Sequence, residues 1–288
     1  MQTNRRAIVG VLAGALLFAT LVALPADAAG ASSSGNHGTN GNTDVNVCPS
    51  AVPAGQATCF GRRRTDSEAT TQRPTRPGSL RSTAAIGNGG AYDPLYLQSA
   101  YVTPSATKGA GQTVAIVDAY GDPSAEADLA SYRSFFGLSS CTTANRCFRK
   151  VDESGGSNYP SGNTGWGQET ALDLDMVSAL CPNCHILLVE ASTASISDLG
   201  TAVNEAVALG ANVVSNSYGG PEYSGETSDS SSYYNHLGVA VTVAAGDSGY
   251  GAEFPAASNT VTAVGGTSLQ QATNTGARNQ PSRYRPGL

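Results

Sequence analysis

Short apolar segments alternate with amphipathic segments along residues 112–266 of the sequence. The apolar segments have the length of buried strands and lie at 112–121, 185–191, 211–220, 238–249 and 260–266. Segments with helical spacing lie between them, at 123–137, 167–180 and 196–210. In the last of these, Ser197 is the predicted N-cap and Gly210 the predicted stop. Apolar strands that alternate with helices predict a doubly wound α/β fold, a mostly parallel sheet with helices on both faces.

Polar residues follow several of these strands. Asp118 lies at the end of the first strand and Asp247 follows the fourth. The third strand runs into a group of small and polar residues, namely Ser217, Tyr218, Gly219 and Gly220. Ligands of doubly wound proteins bind at the carboxyl ends of the strands. The sequence therefore predicts a functional site where these residues come together.

The first 28 residues have the features of a secretory signal peptide. Arg5 and Arg6 precede an almost wholly apolar stretch from Ile8 to Leu24, and residues 26–28 read Ala-Asp-Ala. A membrane anchor is the alternative, but the polar stretch that follows carries no positive stop-transfer cluster. We expect a secreted, extracellular protein with no membrane association once the signal is removed.

Residues 29–85 are rich in Ser, Gly, Asn, Thr and Arg and show no apolar periodicity. Such a segment cannot bury enough apolar surface to fold alone. It is either a low-complexity linker or a short pro-segment, and the sequence does not decide between them. The folded domain is predicted to span residues 86–270, followed by an irregular tail at 271–288.

Six cysteines follow the signal peptide, an even number that favours disulfides in a secreted chain. Their spacing suggests three pairs between sequence neighbours: Cys48–Cys59, Cys141–Cys147 and Cys181–Cys184. Residues 181–185 also read Cys-Pro-Asn-Cys-His, the attachment motif of c-type haem, so haem is an alternative at the third pair. A zinc site is not indicated, because no second Cys/His pair stands at ligand spacing.

The charge of the chain limits its partners. It carries 16 Lys and Arg against 22 Asp and Glu, a formal net charge of −6, in 288 residues. So few cations cannot neutralise a run of phosphates, which excludes nucleic acid as an expected partner.

The candidate chemistry centres on the segment Gly-Gln-Glu-Thr-Ala-Leu-Asp at 167–173. Glu169 and Asp173 are four residues apart, so on a helix both carboxyl groups project from one face. Two carboxyls in one site hold a proton between them, and such a group can act as a general base in acid. The structural alternative is that both are ordinary charges near the start of a helix.

Other familiar motifs are disfavoured. Residues 246–249 read Gly-Asp-Ser-Gly, as in chymotrypsin-like proteases, but no histidine stands in the context of a catalytic base. The sequence has no Gly-x-Ser-x-Gly elbow, which disfavours an α/β-hydrolase.

The order of these segments resembles that of the subtilisin-like fold and, within it, the sedolisin (serine-carboxyl peptidase) family, over roughly Tyr92 to Leu269. Where ordinary subtilases carry a histidine on the second helix, this chain has "GQETALD", similar to the E-x-x-x-D pattern of sedolisins. "SNSYGG" at 215–220 resembles the family's substrate-lining strand, and "AAGDSG" at 244–249 resembles its oxyanion segment.

This resemblance implies roles for individual residues. Glu169 would be the general base and Asp173 its orienting partner. Asp247 would donate a hydrogen bond to the oxyanion, which a carboxyl does only when protonated, so the implied working pH is acidic. Asp118 matches an acidic strand end that some members link to the catalytic pair, and residues 217–220 would bind the substrate.

The family's nucleophile lies in a "GTS-x-A-S-P"-type turn well beyond this region. Ser268, in "GGTS" at 265–268, is followed by "LQQATNTG" and is read as a strand-end residue, not as the nucleophile. We therefore expect the chain to contain the N-terminal two-thirds of a catalytic domain. The resemblance places the nucleophile and the calcium site of the family in the missing C-terminal part, so no cofactor or metal is expected in this chain.

The leading interpretation is a secreted serine-type endopeptidase that acts on peptide or protein substrates as a monomer. An inactive fragment or pseudoenzyme that binds peptides in a groove is the alternative, and a cell-surface adhesive module is a third.

Overall fold

The computed structural model describes residues 44–65 and 92–266. In the N-terminal segment the elements are β1 (Asp44–Asn46), β2 (Thr58–Cys59) and β3 (Arg62–Arg64). The main body begins with α1 (Pro94–Ala100), β4 (Thr113–Ala119), α2 (Ala125–Phe135), β5 (Phe148–Asp152), α3 (Thr164–Leu180) and β6 (His185–Ala191). It continues with α4 (Ile196–Ala208), β7 (Val213–Asn216), β8 (Tyr218–Gly219), α5 (Glu226–Tyr233), β9 (Ala240–Ala244) and β10 (Thr262–Val264).

The central sheet has six strands in the order β10-β9-β7-β4-β6-β5. Every neighbouring pair within it is parallel. The first strand of the sheet in the chain, β4, lies in the middle, and later strands are added on both sides of it. The predicted α/β fold with a doubly wound parallel sheet is confirmed.

Successive side chains of each strand point to opposite faces of the sheet. Ala115 and Val117 of β4 pack in one apolar cluster with residues of α4. Ile116 lies in a second cluster, which contains Leu129 of α2 and Leu174 of α3. Asp118 lies two residues after Ile116 on β4, so its side chain points to the same face of the sheet. This is the face that α3 covers.

In the main body, three elements have no counterpart in the sequence prediction: α1, β5 and α5. The sequence of α5, Glu-Thr-Ser-Asp-Ser-Ser-Ser-Tyr, has no apolar stripe, and β5 mixes charged and apolar residues. The sequence signals for α5 and β5 are weak for these reasons.

The predicted N-cap of α4 was wrong by two residues. Ser195 has the extended backbone of an N-cap, and its hydroxyl accepts from the Asp198 N–H at 3.1 Å. Ser197 is already inside the helix, where its backbone cannot adopt the cap conformation.

Residues 44–65 have no core of their own. Cys48, Ala57 and Cys59 are buried in the same cluster as Trp166 of α3 and the residues of α4. Strand β2 pairs with β8 in an antiparallel two-stranded sheet. This docking has no signal in the sequence, because a two-residue strand carries no periodic pattern. The predicted signal peptide (1–28), the tail (271–288) and residues 66–91 lie outside the described residues.

The three predicted disulfides are confirmed: Cys48–Cys59, Cys141–Cys147 and Cys181–Cys184. No free cysteine occurs in the described part of the chain. The haem alternative at residues 181–185 is therefore wrong for this structure, because both sulfurs are bonded to each other. Within residues 44–65 and 92–266, no helix combines the length and the apolarity that a bilayer crossing needs.

Candidate active site

Helix α3 carries the two carboxyl groups that the sequence singles out. Its N-terminus is fixed by Asn163, whose side chain accepts from the N–H groups of Gly165 and Trp166 at 3.0 and 3.1 Å. Glu169 and Asp173 follow one turn apart and are 2% and 9% exposed. Both belong to the buried face of α3, with Trp166 and Leu174, so this pair lies inside the molecule and not on a solvated face.

Burial changes the protonation of this pair. Loss of water, followed by the charge of Asp173, raises the pKa of Glu169 to about 8, although the nearby Gly61 N–H acts in the opposite direction. Burial also raises the pKa of Asp173 to about 7, opposed by the Ser217 hydroxyl. The pair therefore keeps a shared proton up to near neutral pH.

Ser217 holds the second member of the pair. Its hydroxyl donates to Asp173 Oδ1 at 2.8 Å, across from the segment that joins β7 to β8. The other oxygen of Asp173 and the Oε2 of Glu169 have no hydrogen-bond partner among the described residues. The Ser217 hydroxyl therefore fixes one oxygen of Asp173, and the charge of Asp173 acts on Glu169 one turn away. Ser217 thus gains a positioning role that the sequence did not indicate.

Asp118 is fully buried at the end of β4. Burial, and next the charges of Asp173 and Glu169, raise its pKa well above the ordinary value for an aspartate. Neither of its carboxylate oxygens has a hydrogen-bond partner in the described residues. The structure therefore brings Asp118 into electrostatic contact with the pair on α3, as its place on the α3 face of the sheet requires.

The predicted substrate-lining residues form a backbone edge beside this pair. Tyr218 is buried, and its hydroxyl donates to Asn216 Oδ1 at 2.9 Å, which fixes the ring under the strand. Gly219 belongs to β8, and Gly220 exchanges backbone hydrogen bonds with Phe254. The other edge of β8 pairs with β2.

Asp247 lies in an exposed loop after β9, where Gly246 has a φ of +105°. Partial burial raises its pKa, the Arg62 guanidinium lowers it, and the Asp44 carboxylate raises it. Its charge in turn raises the pKa of Glu169. The predicted oxyanion residue is thus within electrostatic reach of the predicted base.

A further buried carboxyl is not among the site residues predicted from the sequence. Glu190 of β6 is 1% exposed and pairs in register with Asp118 of β4. Its Oε1 accepts from the Asp122 N–H at 2.7 Å and from Lys150 Nζ at 3.1 Å. The sequence does carry a signal for Glu190, because a single Glu inside the otherwise apolar strand "HILLVEA" is unusual. Its cation and backbone partners support a role in holding the strand ends together.

Two expectations fall on other parts of the protein. Ser268 lies outside the described residues. The described residues contain no group of three or more His, Cys, Asp or Glu side chains arranged to hold a metal ion. The expectation that this chain holds no calcium site stays a prediction.

Comparisons with known proteins agree with this arrangement. Residues 156–287 match the model of the subtilase family, Peptidase S8. The chain is 33% identical over 198 residues to kumamolisin from Bacillus sp. (strain MN-32), an alignment that covers 62% of this chain and 35% of kumamolisin. The chain is thus similar in sequence to the subtilases and, among them, to kumamolisin.

The fold agrees with that of a solved sedolisin. Pseudomonas sedolisin, a serine-carboxyl proteinase solved in complex with two molecules of pseudo-iodotyrostatin, matches with a TM-score of 0.52 and 23% identity. That match covers 68% of this chain and 59% of the sedolisin chain. The chain thus spans about a third of the length of kumamolisin and about three-fifths of the sedolisin structure.

Proposed function

We propose that this protein is a secreted serine-carboxyl endopeptidase of the sedolisin type, which hydrolyses peptide bonds of protein substrates in acid. The observation that carries the proposal is the buried pair of Glu169 and Asp173 beside the backbone edge of β8. Carboxyls that keep a proton in a buried site are suited to proton transfer.

Each carboxyl has its own part in the reaction. Glu169 takes the proton from the attacking hydroxyl and returns it to the amine that leaves. Asp173, held by Ser217, shares a proton with Glu169 and keeps it available over an acidic range. The nucleophilic serine belongs to a turn outside the described residues, and Ser268 is not assigned that role.

Asp247 stabilises the oxyanion of the tetrahedral intermediate. A carboxyl donates a hydrogen bond only in its protonated form, and partial burial raises the pKa of Asp247. Activity should then decline as Asp247 loses its proton. The implied substrates are extended peptides or unfolded proteins that pair with β8. A signal peptide, extracellular localisation and a monomeric state complete the proposal.

The proposal is tested with this chain continued by the C-terminal part of a close relative, which supplies the nucleophile, on a denatured protein substrate between pH 3 and pH 8. We expect the fastest cleavage in acid. Asp247→Asn should be slower at pH 4 but lose less of its activity as the pH rises, because an amide does not titrate. Ser268→Ala is the control and should cleave like the wild type. Cleavage that increases toward pH 8, or an inactive Ser268→Ala variant, would contradict these roles, and a wild type that binds peptides without cleaving them would support the pseudoenzyme.

A further inference from the structure

A row of three carboxyls crosses the carboxyl ends of the strands next to the candidate site. Asp118 of β4 pairs in register with Glu190 of β6, and Glu190 pairs in register with Asp152 of β5. Two positions earlier, Ile116 and Leu188 lie in one apolar cluster, on the face of the sheet that α3 covers. Because side chains alternate along a strand, Asp118 and Glu190 lie side by side on this same face.

Glu190 has the contacts that stabilise a charged carboxylate. Its Oε1 accepts from the Asp122 N–H at 2.7 Å and from Lys150 Nζ at 3.1 Å. Lys150 also donates to the Asp122 carbonyl at 2.8 Å, and its Nζ lies 4.3 Å from the centroid of the Tyr159 ring. Lys150 is therefore fixed beside Glu190. A nearby cation and a hydrogen bond both favour the ionised form of a carboxyl.

Asp118 has no such contacts. Neither of its oxygens has a hydrogen-bond partner among the described residues. Two hydroxyl groups interact with it electrostatically, but both donate elsewhere. Thr170 Oγ1 donates to the Trp166 carbonyl at 2.9 Å, and the Tyr218 hydroxyl donates to Asn216 Oδ1 at 2.9 Å. A fully buried carboxyl without a donor favours its neutral form.

The two neighbours therefore differ in protonation. Burial raises the pKa of both Asp118 and Glu190. At Glu190, a backbone N–H and then Lys150 oppose this rise. At Asp118, the charges of the catalytic pair and then that of Glu190 add to it. Since adjacent buried carboxyls do not readily ionise together, the negative charge goes to Glu190 and the proton to Asp118.

Two further carboxyls lie near Glu190. The charge of Asp122 raises the pKa of Glu190, but this effect is the smallest of the causes and ranks behind those of Lys150. Asp152 is not among the groups that shift the pKa of Glu190. Its own pKa is lowered because its carboxylate accepts from the N–H groups of Gly156, Ser154 and Asn158. Lys150 is therefore the charged side chain that acts most strongly on Glu190.

We propose that Glu190, fixed by Lys150, is a positioning residue that keeps a proton on Asp118, the strand-end carboxyl next to the catalytic pair. A protonated Asp118 adds no third negative charge beside Glu169 and Asp173. The pair can then lose one proton and keep the other. The inference rests on the proposed function only in taking Glu169 and Asp173 as the catalytic pair.

The test follows the carboxyl groups themselves by ¹³C NMR of the whole chain between pH 3 and pH 9. The chemical shift of each carboxyl carbon reports whether that group is ionised. In the wild type, Glu190 should ionise at a lower pH than Asp118, and Asp118 should remain protonated at pH 6. Glu190→Gln removes the neighbouring negative charge and leaves Lys150. The titration midpoint of Asp118 should therefore fall by about one pH unit or more.

The double variant Glu190→Gln/Lys150→Met separates charge from packing. It removes the cation as well, so the midpoint of Asp118 should recover about half of the lost shift or more. If Glu190 acted through packing alone, the double variant would lose more contacts than the single one and would show no recovery.

Glu153→Gln is the matched control. Glu153 also binds groups that follow β6, since it accepts from the N–H and the hydroxyl of Ser192, each at 2.7 Å. It is not among the groups that shift the pKa of Asp118, so its loss should leave the midpoint of Asp118 unchanged.

Four results would each overturn the proposal. They are an ionised Asp118 at pH 6 in the wild type, an unchanged midpoint in Glu190→Gln, a double variant without recovery, and an equal fall in Glu153→Gln. If Glu190→Gln does not fold, the order in which Glu190 and Asp118 ionise in the wild type still decides. None of these measurements needs hydrolysis, so a chain without peptidase activity can still confirm the proton on Asp118.

Discussion

At the scale of single residues, the site depends on carboxyl groups that the fold removes from water. Glu169, Asp173 and Asp118 are all buried, and burial is the largest cause of the raised pKa of each. No cation is among the causes of these three shifts. Charged forms of the three groups therefore repel one another, and protonation stabilises the folded state.

This arrangement predicts how stability depends on pH. Between the ordinary pKa of Glu169, near 4.5, and its folded value of about 8, the folded protein holds a proton that the unfolded chain releases. The free energy of unfolding should therefore fall as the pH rises through this range. Glu169→Gln removes the part of this dependence that Glu169 contributes and should be more stable than the wild type at pH 8, by on the order of a few kcal/mol, with little difference at pH 4.

Urea denaturation of both proteins at pH 4, 6 and 8 checks this prediction. Identical pH dependence in the wild type and in Glu169→Gln would show that Glu169 is ionised in the folded protein at neutral pH.

At the scale of elements, the alternation of strands and helices was predictable, and so was the placement of both carboxyls on one helix. Helix α3 begins at Thr164, three residues before the predicted start, because Asn163 supplies the cap. Strand β5 was missed since its polar residues break the apolar pattern. The contact of Ser217 with Asp173 could not be predicted, because it depends on how β7 and α3 pack.

The corrected cap of α4 gives a prediction at this scale. Ser195→Ala removes the side chain that accepts from the Asp198 N–H and should cost about 1 kcal/mol of stability. Ser197→Ala is the matched control, because Ser197 lies in the first turn and is exposed. The stability that it loses should be only a few tenths of the loss for Ser195→Ala. Urea denaturation at one pH compares the two variants, and a larger loss for Ser197→Ala would restore the cap that the sequence suggested.

At the scale of the whole molecule, the candidate site gathers residues from distant parts of the chain. Helix α3, the segment after β7 and the loop after β9 were all identified from the order of motifs along the sequence. The segment from 44 to 65 was not, because its role depends on a short strand pairing and on close contacts of Gly61 that no local pattern encodes. The fold was thus predictable in outline, whereas the pairing of β2 with β8 was not.

The most direct test of the catalytic assignment compares two carboxyls of the same helix. Asp175 is partly buried, and its pKa is also raised to about 7, first by burial and then by the charge of Asp128. Asp175 is not among the groups that shift the pKa of Glu169. Asp175→Asn therefore shows the effect of losing a carboxyl from α3 when the candidate site stays intact.

The measurement is kcat, at the optimal pH, of this chain continued by the C-terminal part of a close relative, for wild type, Glu169→Gln and Asp175→Asn. We predict a loss of about 10² or more for Glu169→Gln, within the range for removal of a general base, and no more than a small change for Asp175→Asn. Full activity of Glu169→Gln would contradict the assignment of Glu169 as the catalytic base.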